Sequence, residues 1–200
     1  MDWSQLLHLG DLSLTLPAGG AIAAWLLAAR AWRAALGWSL VFALALALVA
    51  ATKIAFLGWA THLPALDYKA VSGHAASFTT VFPTLTFLLL RPGGKALRLT
   101  ATAASLALAA MVAAALVHAG EHTAAEAIAG WLIGAAASAC AIYLTGDVAA
   151  PPTGRAVLCC TLAWAAVALA LRSAPLGWWM IKVALVLSGN AHPTPWDHCS

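Results

Sequence analysis

The sequence predicts an all-α fold: a polytopic transmembrane helix bundle of about six spans, formed as one transmembrane domain over residues 1–200. Three observations predict it. Hydrophobic residues make up 63% of the chain and charged residues only 8%, against about 25% charged in an ordinary globular protein. Ten Lys or Arg and seven Asp or Glu are too few to coat a water-facing surface, and the mean hydropathy is +0.89. The apolar residues also fall into runs that reach the roughly 17 to 25 residues needed to cross about 30 Å of hydrocarbon.

Residues 2–10 (DWSQLLHLG) read as a short surface helix. The first span is 17–33, closed by Arg30 and Arg33, and the second is 36–58. The third, 74–90, and the fourth, 99–118, flank a loop holding Arg91, Lys95 and Arg98. The fifth is 123–144 and the sixth 156–172. Residues 177–189 are apolar but short for a span, which suits a segment lying in the interface or re-entering partway. The tail HPTPWDHCS reads as loose. Trp38, Trp59, Trp131 and Trp164, near span ends, fit an interfacial belt. Most of the remainder is Ala and Leu, suited to tight helix packing through small residues.

Charge gives orientation through the excess of Lys and Arg on cytoplasmic loops. Arg30, Arg33, Arg91, Lys95, Arg98 and Arg155 share one side, whereas the opposite loop 59–73 carries Lys69 and loop 119–122 carries no Lys or Arg. The expectation is an N-terminus outside, with those two loops facing the exterior of a bacterial inner membrane, the periplasm. No signal peptide is read at the N-terminus, so insertion rests on the spans themselves. A net charge of +3 without a basic stripe speaks against nucleic-acid binding. The cysteines show neither zinc spacing nor a disulfide framework; Cys140, Cys159 and Cys160 lie in apolar stretches and Cys199 is terminal.

Ionisable groups at membrane depth are costly, so they default to functional hypotheses. Lys53 near the end of span two, Ser72, Gly73 and His74 at the start of span three, and His118, Glu121, His122 and Glu126 between spans four and five all reach one leaflet. Three chemistries use such a set. Phosphoryl transfer through a phosphohistidine needs a nucleophilic imidazole, a carboxylate holding its other nitrogen, a second imidazole as acid, and donors around the phosphate. His122 and Glu126, four apart, share a face on a helix. Metal binding would use His118, His122 and Glu126 at i, i+4, i+8. Haem ligation would pair His74 with His118 or His122 across facing spans. Each residue also has a plainer role: Lys53 snorkels, Ser72–Gly73 makes a turn, and His118 caps a helix end.

The stretch VSGHAAS at 71–77, followed by HAGEHTAAEAIAG at 118–130, resembles the type 2 phosphatidic acid phosphatase (PAP2) family over roughly residues 36–144. That family carries a Lys followed at distance by Arg-Pro, then Pro-Ser-Gly-His, then Ser-Arg with a His and an Asp. Lys53 stands at the first lysine. Ser72, Gly73 and His74 match the second signature with Val71 for its proline, and His122 and Glu126 fall at the third signature's nucleophile and carboxylate. The resemblance implies a PAP2-like helical core and a metal-independent, cofactor-free phosphatase acting on a lipid phosphate or diphosphate in the bilayer. His122, His74 and Glu126 would be catalytic, and Lys53, Ser72 and Gly73 would hold phosphate. The chain departs where Arg-Pro becomes Ala60-Thr61 and Ser-Arg becomes Ala115-Leu116, so both phosphate-gripping arginines of the family are missing. Lys69 is the expected stand-in, with His62 and His118 as weaker ones. A catalytically degenerate relative that binds lipid headgroups or a partner is the alternative, followed by a metal or haem protein.

Overall fold

The computed structural model describes residues 10–146 and 148–196. The expectations for residues 2–9 and for Cys199 lie outside the described residues. Among the described residues seven α-helices run in order: α1 Leu12–Ala28, α2 Trp32–Trp59, α3 Gly73–Leu89, α4 Lys95–His118, α5 Ala124–Thr145, α6 Thr153–Arg172 and α7 Leu176–Ser188. A single 3-10 turn, Pro64–Leu66, interrupts the α2–α3 loop.

The chain is an all-α integral membrane protein. Among the described residues four helices, α2, α4, α5 and α6, are long and apolar enough to cross a membrane. Helices α1 and α3 have 17 residues each, about 26 Å at 1.5 Å per residue, and α7 has 13. On α2 the stripe Leu36, Leu40, Leu44 and Leu48 is exposed, while Trp38, Phe42, Ala45 and Val49 on the other face are buried. A row of leucines at i, i+4 spacing facing outward is what a lipid-facing helix presents.

The first span lies five residues earlier than expected. Arg30 adopts a left-handed φ of 58° between α1 and α2, so α1 stops at Ala28 and Arg33 joins the first turn of α2. Trp38 also departs from the belt reading. It is fully buried, stacks on Phe42 at 5.2 Å, and donates its indole N–H to Gly19 O at 2.9 Å. Gly19 lets the two helices close, since a Cβ there would sit 2.4 Å from the Phe42 ring.

Helix α3 is the centre of the bundle, with eleven of its 17 residues buried. It packs most closely on α5 through Gly130 and Gly134, one turn apart. A Cβ on Gly130 would lie 2.5 Å from Ser72 O, and one on Gly134 would lie 2.6 Å from Ala76 O. Small residues four apart let two membrane helices approach backbone to backbone. At the far end Arg91 donates to the carbonyls of Thr145 and Gly146, satisfying the C-terminus of α5. Outermost α6 packs on α1 and buries none of its residues.

Helix α7 lies against the last turns of α2. At 13 residues it is about 20 Å long and too short to span, as its length in the sequence suggests. Residues 190–196, which follow it, are held against the end of α2. Asn190 Nδ2 donates to Gly58 O at 2.6 Å, Thr194 N to Leu57 O at 2.9 Å, and Trp196 stacks on Phe56 at 4.6 Å. The expectation of a loose tail is corrected for residues 192–196: carbonyls in the last turn of α2, which no further helical N–H follows to bind, and an apolar Phe face give it partners.

Candidate active site

One end of the bundle collects the start of α1, the end of α2, the start of α3 and the α4–α5 junction. The junction is made by a break in the helix. Gly120, at φ 74°, ends α4, and Thr123 caps α5 by accepting from Glu126 N at 3.4 Å. Glu126 answers by accepting from Thr123 N at 3.3 Å, which completes a capping box. His122 therefore precedes the helix instead of lying on it, and Glu126 reaches back to it. His122 Nδ1 lies 2.9 Å from Glu126 Oε2. The same break separates His118, at the end of α4, from the other two, so His118, His122 and Glu126 do not form one helical stripe. Among the described residues no group of three or more His, Cys, Asp or Glu is arranged to hold a metal ion.

Glu126 is buried, and its carboxylate is saturated with donors. Oε1 accepts from the backbone N–H of Lys69 at 3.0 Å and of Ala70 at 3.3 Å, while Oε2 serves His122 and Thr123. Its own carbonyl accepts from Ser72 N at 3.1 Å. The α2–α3 loop is thereby tied to the first turn of α5. Thr52 of α2 adds a third tie by accepting from Val71 N at 3.2 Å, and a Leu63–Tyr68 bridge closes the loop on itself. Burial, and secondarily the nearby Glu126 charge, push the Tyr68 phenol above its ordinary value.

His74 stands one residue into α3 with its ring centroid 6.4 Å from that of His122. Its Nε2 lies 2.8 Å from Asp11 Oδ1. Gly73 begins α3, and a Cβ there would be 3.8 Å from Lys53 Nζ, so the lysine head reaches the same corner. Ser72 is fully buried, and its Oγ caps α3 by accepting from Ala75 N at 3.3 Å.

A pocket of about 740 Å³ opens beside these groups. Lys53, Asp67, Lys69, Glu121, His122 and Glu126 give its polar lining, and Leu57, Met180, Ile181 and Trp196 give an apolar side. His74, Ser72, Gly73 and His118 are outside that lining. Lys69 points its ammonium at Trp196 O, 2.6 Å away. Ala60 is the exposed left-handed residue ending α2, and Leu116 is buried with Ala75, Ala113 and Ala127. Sequence reasoning missed Asp11, Thr52, Asp67 and Trp196. Only Asp11 carried a signal, as an acidic residue just ahead of an apolar helical run, where N-caps occur.

Residues 54–149 match the model of the PAP2 superfamily. Over 195 residues the chain is 31% identical to the "Uncharacterized 22.5 kDa protein in cps region" of Klebsiella pneumoniae, covering 97% of this chain and 87% of that protein. No solved structure matches the chain.

Proposed function

We propose that this chain, whose residues 54–149 match the PAP2 superfamily model, is a PAP2-type, metal-independent phosphatase that hydrolyses a lipid phosphate or diphosphate at the outer leaflet through a phosphohistidine. The observation that carries the reading is the His122–Glu126 pair at 2.9 Å, set 6.4 Å from a second imidazole and beside two lysines. A carboxylate accepting from Nδ1–H leaves Nε2 of His122 unprotonated and able to attack phosphorus in line. His74 protonates the leaving oxygen and then deprotonates the water that cleaves the N–P bond, returning free His122 and inorganic phosphate. Lys53 and Lys69 neutralise phosphoryl charge, with Ser72 and Gly73 shaping the approach to the start of α3. The apolar side of the pocket suits the chain of a lipid substrate.

The test is phosphate release by the detergent-purified protein from phosphatidic acid and an isoprenoid diphosphate, with and without chelator. His122→Ala should abolish both turnover and the acid-labile, alkali-stable phosphoprotein expected of a phosphohistidine. Turnover that survives in this variant sinks the assignment. A second reading, a binding protein without chemistry, is favoured by Ala60 and Leu116 at the arginine positions and by the occupied Lys69 ammonium. Two bidentate guanidinium forks are not replaced by one ammonium. Folded protein that binds these lipids but releases no phosphate above the His122→Ala blank establishes that second reading.

A further inference from the structure

We propose that Asp11 is the positioning residue of His74, so that the segment leading into α1 completes the active site. This role rests on the phosphatase reading above, in which His74 is the proton donor. Asp11 is the N-cap of α1, a position where an aspartate side chain ordinarily accepts from the second or third helical N–H. Here its side chain makes no such bond. The backbone of Asp11 is fixed instead through its carbonyl, which accepts from Leu14 N at 3.0 Å, Thr15 N at 2.9 Å and Thr15 Oγ1 at 3.1 Å. The carboxylate reaches across to α3, where Oδ1 meets His74 Nε2 at 2.8 Å.

Neighbouring contacts hold that reach in register. Gly10 O accepts from Ser77 Oγ at 3.1 Å, and Gly10 has no room for a side chain, because its Cβ would lie 2.8 Å from His74 Cβ. The two side chains remain 39% and 35% exposed, so the pair is open to a substrate. The consequence is chemical. His122 gives Nδ1 to its carboxylate and keeps Nε2 for phosphorus, whereas protonated His74 gives Nε2–H to Asp11 and donates its Nδ1 proton to the leaving oxygen, becoming the neutral Nε2–H tautomer whose Nδ1 then takes the proton of the attacking water. Each imidazole has its own carboxylate, on opposite ring nitrogens, and the two do not compete for one tautomer.

Two readouts test this on the full chain. Neutral His74, assigned by comparison with His74→Gln, should show the Nε2–H tautomer in ring ¹⁵N spectra, and Asp11→Ala should shift it toward a mixture. In turnover of phosphatidic acid, Asp11→Ala should lower kcat on the order of 10- to 100-fold, less than the 10²- to 10⁴-fold a proton donor itself supplies, with KM changed less than about twofold. Asp11→Asn keeps an oxygen acceptor for Nε2–H and should fall between, at an unchanged melting temperature. An Nδ1–H tautomer in the unsubstituted protein, or the same tautomer with and without Asp11, overturns the proposal. So does turnover that holds or rises in Asp11→Ala. If the unsubstituted protein itself releases no phosphate, the phosphatase reading has failed, and the ¹⁵N arm still decides whether Asp11 sets the His74 tautomer.

Discussion

Glu126 holds more of this site together than any other side chain, because one carboxylate serves four donors. Two are the backbone N–H groups of Lys69 and Ala70, and two are Thr123 N and His122 Nδ1. Glu126→Gln therefore cannot be accommodated by a flip. Whichever way the amide turns, its NH₂ faces donors on one side, and a buried unsatisfied donor costs about 1–3 kcal/mol. The expected outcome is a lower melting temperature and a kcat reduced by on the order of 10²- to 10⁴-fold. A variant with full kcat would show that His122 does not need its carboxylate. The His122–Glu126 pair was legible in the sequence through its four-residue spacing, although the shared helix face expected there is replaced by a capping turn from which Glu126 reaches back. The Asp11–His74 contact spans 63 positions and the Lys69–Trp196 contact 127, separations at which no periodicity or motif marks a pair.

At the scale of elements, the site depends on how closely α3 and α5 approach. Ser72 N reaches Glu126 O only because Gly130 and Gly134 let the two backbones meet. A Cβ on Gly134 would stand 2.6 Å from both Ala76 O and Thr79 Cβ, and the backbone oxygen cannot move aside alone. Gly134→Ala is expected to destabilise the bundle by about 1–3 kcal/mol, as overpacking does. It should also lower turnover without altering any side chain at the site. Gly154→Ala, where a Cβ would meet nothing within 4 Å, is the matched control. Equal melting temperatures for the two variants would remove the close approach from the account. The long apolar runs made α2, α4 and α5 legible to within about a turn at each end, because length and hydropathy decide a lipid-facing helix. The α1–α2 boundary was not legible, since a left-handed Arg30 breaks a run that hydropathy treats as continuous. Nor was the burial of Trp38, which a hydrogen bond to the backbone exposed beside Gly19 makes favourable.

Across the whole molecule, charge and chemistry sit at opposite ends. The α1–α2 turn, the α3–α4 turn and the start of α6 carry Arg30, Arg33, Arg91, Lys95, Arg98 and Arg155. The Arg91 contacts with Thr145 and Gly146 bring the end of α5 to that same side. At the other end, among the four remaining basic residues, Lys53 and Lys69 face the pocket and Lys182 lies over Trp178 at 3.9 Å. Short loops rich in Lys and Arg stay in the cytoplasm, so the pocket should open on the outer face. In a chain with its cysteines replaced by serine, Pro64→Cys in the α2–α3 loop should react with a membrane-impermeant maleimide on intact cells. Gly93→Cys in the α3–α4 turn should react only after permeabilisation. The reverse labelling would put the histidines in the cytoplasm and exclude outer-leaflet lipids as substrates. The test is independent of turnover, because it reads only which end of the bundle the loop charges have retained inside.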